Sequence, residues 1–80
     1  MNTTDLLKHI AEALDVEEDS VSLESSSETL EEWDSLGHIT ILGTLDDVTS
    51  GASADLVDLT QATSVKELIE ILSNNNLLDS

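Results

Sequence analysis

The chain has no cysteine, no proline, no phenylalanine and no tyrosine, a single tryptophan, and only two basic side chains, Lys8 and Lys66. Without cysteine there is neither a disulfide framework nor a thiolate metal site. Without Phe or Tyr, the interior is expected to be Leu, Ile and Val, with Trp33 at its edge. No Pro-rich linker and no internal repeat divides the 80 residues, so a single domain spanning 1–80 is expected, in monomeric form. The start, MNTTDLLKHIAEAL, lacks a basic region followed by an apolar core, and no stretch approaches the roughly 18 apolar residues of a membrane span. A cytoplasmic protein with no membrane insertion is the expectation.

The shortage of basic residues matters most. Against two lysines stand 18 Asp and Glu, for a formal net charge of -16 at pH 7. Such a field repels phosphate backbones and anionic membrane surfaces, which argues against nucleic acid, and it draws in proteins with basic patches. At roughly 0.05 to 0.15 kcal/mol per residue, a domain of this size has about 4 to 12 kcal/mol of stability, so self-repulsion is a sizeable opposing effect. With 39% hydrophobic residues, the chain is nevertheless too apolar to remain disordered.

Helical periodicity dominates what is there. Residues 4–15 place Leu6, Leu7, Ile10 and Leu14 on one face, with Thr3 or Thr4 as N-cap and with His9 and Glu12 off the stripe. DVEEDSVSLESSSETLEE, residues 15–32, reads as a long loop pinned by Val16, Val21, Leu23 and Leu30; loops of this length in small domains are usually functional. A second helix is expected from Ser35 to about Val48, capped by Asp34 and burying Leu36, Ile39, Leu42 and Leu45. Trp33 precedes the cap, where it suits a hydrophobic staple with His38. TSGASA signals a loop around Gly51, and DLVDLT, residues 55–60, a short helical turn burying Leu56 and Leu59. SVKELIEILS forms a last helix with Ser64 and Glu67 as a capping box, Val65, Leu68, Ile69 and Leu72 inward, and NNN at 74–76 as its end. The fold class expected is all-α, a small bundle of three to four helices with a long loop between the first two.

Enzymatic arrangements lack their parts. The stretch around Ser35 has no glycine two residues before the serine, as a nucleophile elbow requires, and His38 one turn away is by itself more often structural than catalytic. Glu17, Glu18 and Asp19 attract divalent cations only diffusely, since the sequence contains no calcium-loop pattern and no Gly-rich phosphate loop. No catalytic residue and no metal site is expected. Ser35 stands out for its place at a helix start, beside free backbone amides and the positive end of the helix dipole, where a phosphate ester is stabilised and where Asp34 opposes it. A plain helix-start serine has the same signature.

EEWDSLGHITIL, residues 31–42, resembles the modification segment of acyl carrier proteins, in which an Asp-Ser-Leu triplet opens the second helix. The similar order of elements extends over nearly the whole chain. The resemblance implies a non-enzymatic carrier with 4′-phosphopantetheine attached to Ser35 by a phosphopantetheinyl transferase, Asp34 and Leu36 flanking the attachment, and acyl cargo held as a thioester on the arm's thiol. It further implies partners, acyl-transfer, ligase or synthase enzymes, whose basic patches dock on the second helix. Here the acids of that helix are reduced to Asp34, Asp46 and Asp47, with Gly37, His38 and Thr40 between. Asp46, Asp47, Thr40 and Gly37 are therefore the candidate partner contacts. Gly37 and Gly43 each cost about 1 kcal/mol against alanine inside a helix, and Gly37 reads either as relaxed surface sequence or as room for the arm or a close-fitting enzyme. This departure points towards a specialised pathway, such as polyketide, modified-lipid or peptide assembly, more than bulk fatty-acid synthesis, within the fatty-acid, polyketide and related lipid pathways that the resemblance implies. An aminoacyl or peptidyl carrier, D-alanyl included, and an unmodified acidic helical interaction module are the alternatives.

The charge imbalance makes a direct prediction. The melting temperature rises with added salt or millimolar Mg²⁺ as repulsion is screened; an unchanged melt in a calorimetric titration removes self-repulsion from the account.

Overall fold

The computed structural model describes residues 1–79, and three α-helices carry the fold: α1 (Thr3–Leu14), α2 (Ser35–Val48) and α3 (Val65–Asn74). No strand occurs among the described residues, and no helix there is long and apolar enough to cross a membrane. α1 begins one residue earlier than its apolar stripe predicts, because Asn2 rather than Thr3 or Thr4 is the N-cap, its side-chain oxygen accepting from the Asp5 amide at 2.8 Å. It ends at Leu14, where Asp15 turns left-handed (φ 57°) and returns its amide to the carbonyls of Ala11 and Glu12. Leu6, Ile10, Ala11 and Leu14 are buried, and Leu7 only half so.

α3 follows its predicted pattern more closely. Val65, Leu68 and Leu72 are buried, with Ile69 half-buried beside them. Ser64 caps it by accepting from the Glu67 amide at 3.2 Å. The reciprocal half of the expected capping box is absent: the Glu67 carboxylate accepts from the Thr63 hydroxyl instead, at 3.3 Å. The backbone before Ser64 is otherwise engaged, since residues 25–27 run antiparallel to residues 63–65. The Ser27 amide donates to Thr63 O at 2.8 Å and the Val65 amide to Ser25 O at 3.0 Å.

The connection between α1 and α2 is thus more structured than a plain loop. It contains the 3₁₀ turn Glu18–Ser20 and this β-bridge, and it contributes Val21 and Trp33 to the core. Leu23, expected as an anchor, is exposed instead. In place of one short helix at residues 55–60 there are two 3₁₀ segments, Ala52–Asp55 and Val57–Gln61, hinged at Leu56, with Leu59 buried and Leu56 half-buried. Ser50 (φ 56°) and Gly51 (φ 88°) are both left-handed and turn the chain after α2. After α3, Leu78 packs into the core, and Asp79 meets Met1 through both backbone and ionic contacts.

The largest difference from expectation lies in α2. Leu36 is 76% exposed and Ile39 63%, while Ile41 and Leu45 are buried and Leu42 half-buried. α2 carries apolar residues around most of its circumference, so periodicity alone does not select a face. The helix is rotated so that His38, Ile41 and Leu45 look inward.

The two glycines of α2 behave oppositely. A Cβ on Gly37 would collide with the carbonyl oxygen of Glu32 and lie 2.8 Å from Leu14 Cδ2, whereas one on Gly43 would meet nothing within 4 Å. Gly43→Ala should therefore raise unfolding free energy by about 0.5–1 kcal/mol through helix propensity. Gly37→Ala should lower it by about 1–3 kcal/mol through overpacking. Urea denaturation of the two variants checks both signs.

Candidate functional site

The residues around Ser35 are organised by three local interactions. Asp34 caps α2, its Oδ1 accepting from the Gly37 amide at 2.8 Å while its carbonyl accepts from the His38 amide at 2.8 Å. Because that carboxylate is committed to Gly37, Ser35 falls on the first helical residue, and the amides of Ser35 and Leu36 have no acceptor among the described residues. The Ser35 side chain is exposed, and its hydroxyl has no partner among those residues.

The second interaction is a relay through His38. Trp33 Nε1–H donates to His38 Nδ1 at 3.1 Å, and His38 Nε2 lies 2.8 Å from Leu59 O. An indole nitrogen only donates and a carbonyl only accepts, so the imidazole is neutral with its proton on Nε2. The ring planes are 14° apart with centroids 6.2 Å apart, so the rings meet edge to edge through the hydrogen bond. The pair occupies the positions expected of a hydrophobic staple. Here the staple is polar at its centre and extends to the 3₁₀ segment Val57–Gln61. Trp33 is only 3% exposed, deeper than the core edge expected for it. Both ring nitrogens of His38 are engaged, which leaves neither for the Ser35 hydroxyl.

The third is the backbone approach at Gly37. This half-buried residue lets the Glu32 carbonyl sit against the first turn of α2, so the space its missing side chain opens is filled by the chain itself. The expectation of room for an arm or an enzyme at Gly37 is corrected accordingly.

The outward face of α2 then carries Leu36, Ile39, Thr40, Gly43 and Asp47, each three or four residues from another member of the set along the helix. Leu36 and Ile39 place two large aliphatic side chains in solvent directly beside Ser35. The Thr40 hydroxyl bonds back to Leu36 O at 3.0 Å and so is tied to its own helix. Asp46 and Asp47 sit in the last turn of a helix with no basic residue there, where they oppose the helix dipole. Asp47 is exposed, whereas Asp46 is half-buried with Oδ1 shielded and unpartnered among the described residues. Of the predicted positions, Asp34, Ser35, Leu36 and Thr40 are thus brought together at the exposed start of α2, and Asp46 and Asp47 lie at its far end.

Ile39, expected in the core, is exposed beside Ser35. Ser27 and Thr63, which border the same region as Ser35, were not foreseen. Their proximity arises from backbone pairing between distant segments, for which local periodicity carries no signal.

Removing the imidazole orphans the nearly buried indole N–H. His38→Ala should lower unfolding free energy by about 1–3 kcal/mol, and more than a surface replacement such as Thr40→Ala. Urea titration followed by the fluorescence of the single tryptophan measures it; a loss no greater than that of Thr40→Ala contradicts the relay's role. No protein-family model matches the chain, and no curated protein and no solved structure matches it either.

Proposed function

We propose that the chain is a carrier protein of the acyl carrier type, with Ser35 as the attachment point of 4′-phosphopantetheine. The observation that carries this reading is the exposed, unpartnered hydroxyl at the first residue of α2, preceded by a capping Asp34 and followed by the solvent-facing Leu36 and Ile39. The sequence resemblance of residues 31–42 to the acyl carrier modification segment points the same way. The helical order of α1, α2 and α3, with 3₁₀ segments between α2 and α3, is compatible with this reading.

The residues fit the group chemically. The Ser35 hydroxyl is accessible to a transferase, and the free amides of Ser35 and Leu36 favour an anionic phosphodiester. Asp34 opposes it by charge, but its Oδ1 is engaged with the Gly37 amide. In the loading step Ser35 Oγ attacks the pantetheine-bearing phosphorus of coenzyme A. The new serine O–P bond replaces the pyrophosphate P–O bond, adenosine 3′,5′-bisphosphate departs, and the hydroxyl proton passes to a base of the transferase. The arm's terminal thiol supplies the bond to an acyl cargo, which accords with a chain that has no cysteine of its own.

Docking is assigned to the outward face of α2. Leu36 and Ile39 offer desolvation area, while Asp34 and Asp47 offer charge to a basic rim. Two acids at the C-terminal end of α2 lower helix stability, a local cost that makes sense on a surface shaped for a partner. The acid-poor middle of α2 favours a dedicated set of acyl-transfer, ligase or synthase enzymes from specialised lipid or polyketide assembly.

Incubation with coenzyme A and a broad-specificity phosphopantetheinyl transferase, followed by intact mass analysis, tests the proposal. Wild type should gain the mass of one phosphopantetheine and Ser35→Ala none. An unmodified wild type overturns the carrier reading in favour of an unmodified interaction module.

A further inference from the structure

The relay through His38 works in one protonation state only. Neutral, with its proton on Nε2, the ring accepts from Trp33 Nε1–H at 3.1 Å and donates to Leu59 O at 2.8 Å. A proton added at Nδ1 turns that acceptor into a donor and sets two N–H groups against each other. Rotating the ring does not repair the mismatch, because both nitrogens of an imidazolium donate and the indole nitrogen only donates. The Leu59 carbonyl, by contrast, still suits the charged ring, since a hydrogen bond from a cationic donor is the stronger kind. Protonation therefore breaks the relay at one end and keeps the other.

The surroundings give the added proton no acceptor. Neither ring nitrogen lies within 4.0 Å of a carboxylate among the described residues. On the segments that pack here, the charged groups are Glu31, Glu32 and Asp34 about Trp33, Asp58 next to Leu59, and Glu12 and Asp15 at the end of α1, whose Leu14 reaches Gly37. All six are exposed, and the Asp34 carboxylate is committed to the Gly37 amide. They offer an imidazolium a field of favourable sign without placing an acceptor at Nδ1. Trp33 is in the harder position. It is 3% exposed, so an N–H refused by His38 has neither protein nor water to bond.

We infer that His38 is an acid-operated latch: the protonated ring stays with Leu59 and releases Trp33, so the segment entering α2 loosens while the helix itself remains seated. The device stands whether or not Ser35 carries a group. Its effect is local to that serine, because Trp33 immediately precedes the Asp34 cap and the neighbouring Glu32 carbonyl rests against Gly37. The Trp33 bond is complete while His38 is neutral and is lost as pH falls through the range in which histidine changes charge, about pH 8 to pH 5. Overall melting is a poor reporter of it, since acid also begins to relieve the repulsion of a chain with net charge -16. The indole N–H reports it directly.

The test follows the full chain, ¹⁵N-labelled, by NMR through a titration at fixed ionic strength from about pH 8 to pH 5. The His38 ring resonances and the Trp33 indole N–H should move with one midpoint. Below it the indole N–H should exchange with solvent about 10- to 100-fold faster, after the intrinsic pH dependence of exchange is removed. The amides of Ile41 and Leu45 should keep their protection, which separates release of Trp33 from unfolding. His38→Gln offers an acceptor and a donor with no titratable proton, and it retains His9 and the Met1 amine. Its indole N–H should not respond to pH, whereas His9→Gln should respond as wild type does. An indole N–H that is unmoved while the His38 ring titrates overturns the inference. So does a His38 ring that stays neutral throughout, or a response equally present in His38→Gln. If His38→Gln does not fold, the shared midpoint in wild type and in His9→Gln decides the matter.

Discussion

The hydrogen-bond relay from Trp33 through His38 to Leu59 determines how α2 lies on the rest of the molecule. It joins the residue before the helix cap, the first turn of the helix, and a 3₁₀ segment 21 residues further on. All three polar groups are at least partly withdrawn from water, so each requires its partner. Once the His38 ring points at Leu59, Ile41 and Leu45 must follow it into the core, and Leu36 and Ile39 must face solvent. The exposure of Ser35 follows from the same rotation. A helix with apolar residues around most of its circumference is thereby given one orientation by polar contacts.

Gly37 is the steric counterpart of that relay. With no side chain, it lets the Glu32 carbonyl approach the first turn, and this brings Trp33 within reach of His38 across the Asp34 cap. The cap commits the Asp34 carboxylate to the Gly37 amide, which would reduce its conflict with the phosphodiester proposed for the neighbouring serine. Backbone pairing between residues 25–27 and 63–65 then closes the other side and makes a depression out of what would be a flat helix start. Stability and the proposed function meet in these few residues. The same side chains that fix α2 also shape the surface around Ser35.

Much of this was legible in the sequence, for identifiable reasons. α1 and α3 have narrow apolar stripes, so their inward faces follow from periodicity, and the caps at Asp34 and Ser64 follow from residue type and position. The pairing of Trp33 with His38 follows from staple spacing. Three things were not legible. The face of α2 was misassigned because apolar residues at 36, 39, 41, 42, 45 and 48 fit more than one stripe, and the deciding contact, His38 to Leu59, is non-local. Asn2 lost to Thr3 and Thr4 as the expected cap because all three are competent and only backbone geometry discriminates. The tight approach at Gly37 depends on a carbonyl from the preceding loop, which residue identity does not reveal.

The chain's lack of cysteine makes the orientation of α2 directly measurable, because a single introduced thiol reports its own accessibility. Ile39→Cys and Ile41→Cys, compared for reaction with a small thiol reagent under native conditions, test the account at its centre. Cysteine is tolerated in buried positions, so the comparison does not depend on unfolding the protein. The account predicts that the thiol at 39 reacts at close to the rate of a short peptide, and that the thiol at 41 is slower by orders of magnitude. Protection at 39 with rapid reaction at 41 would contradict it.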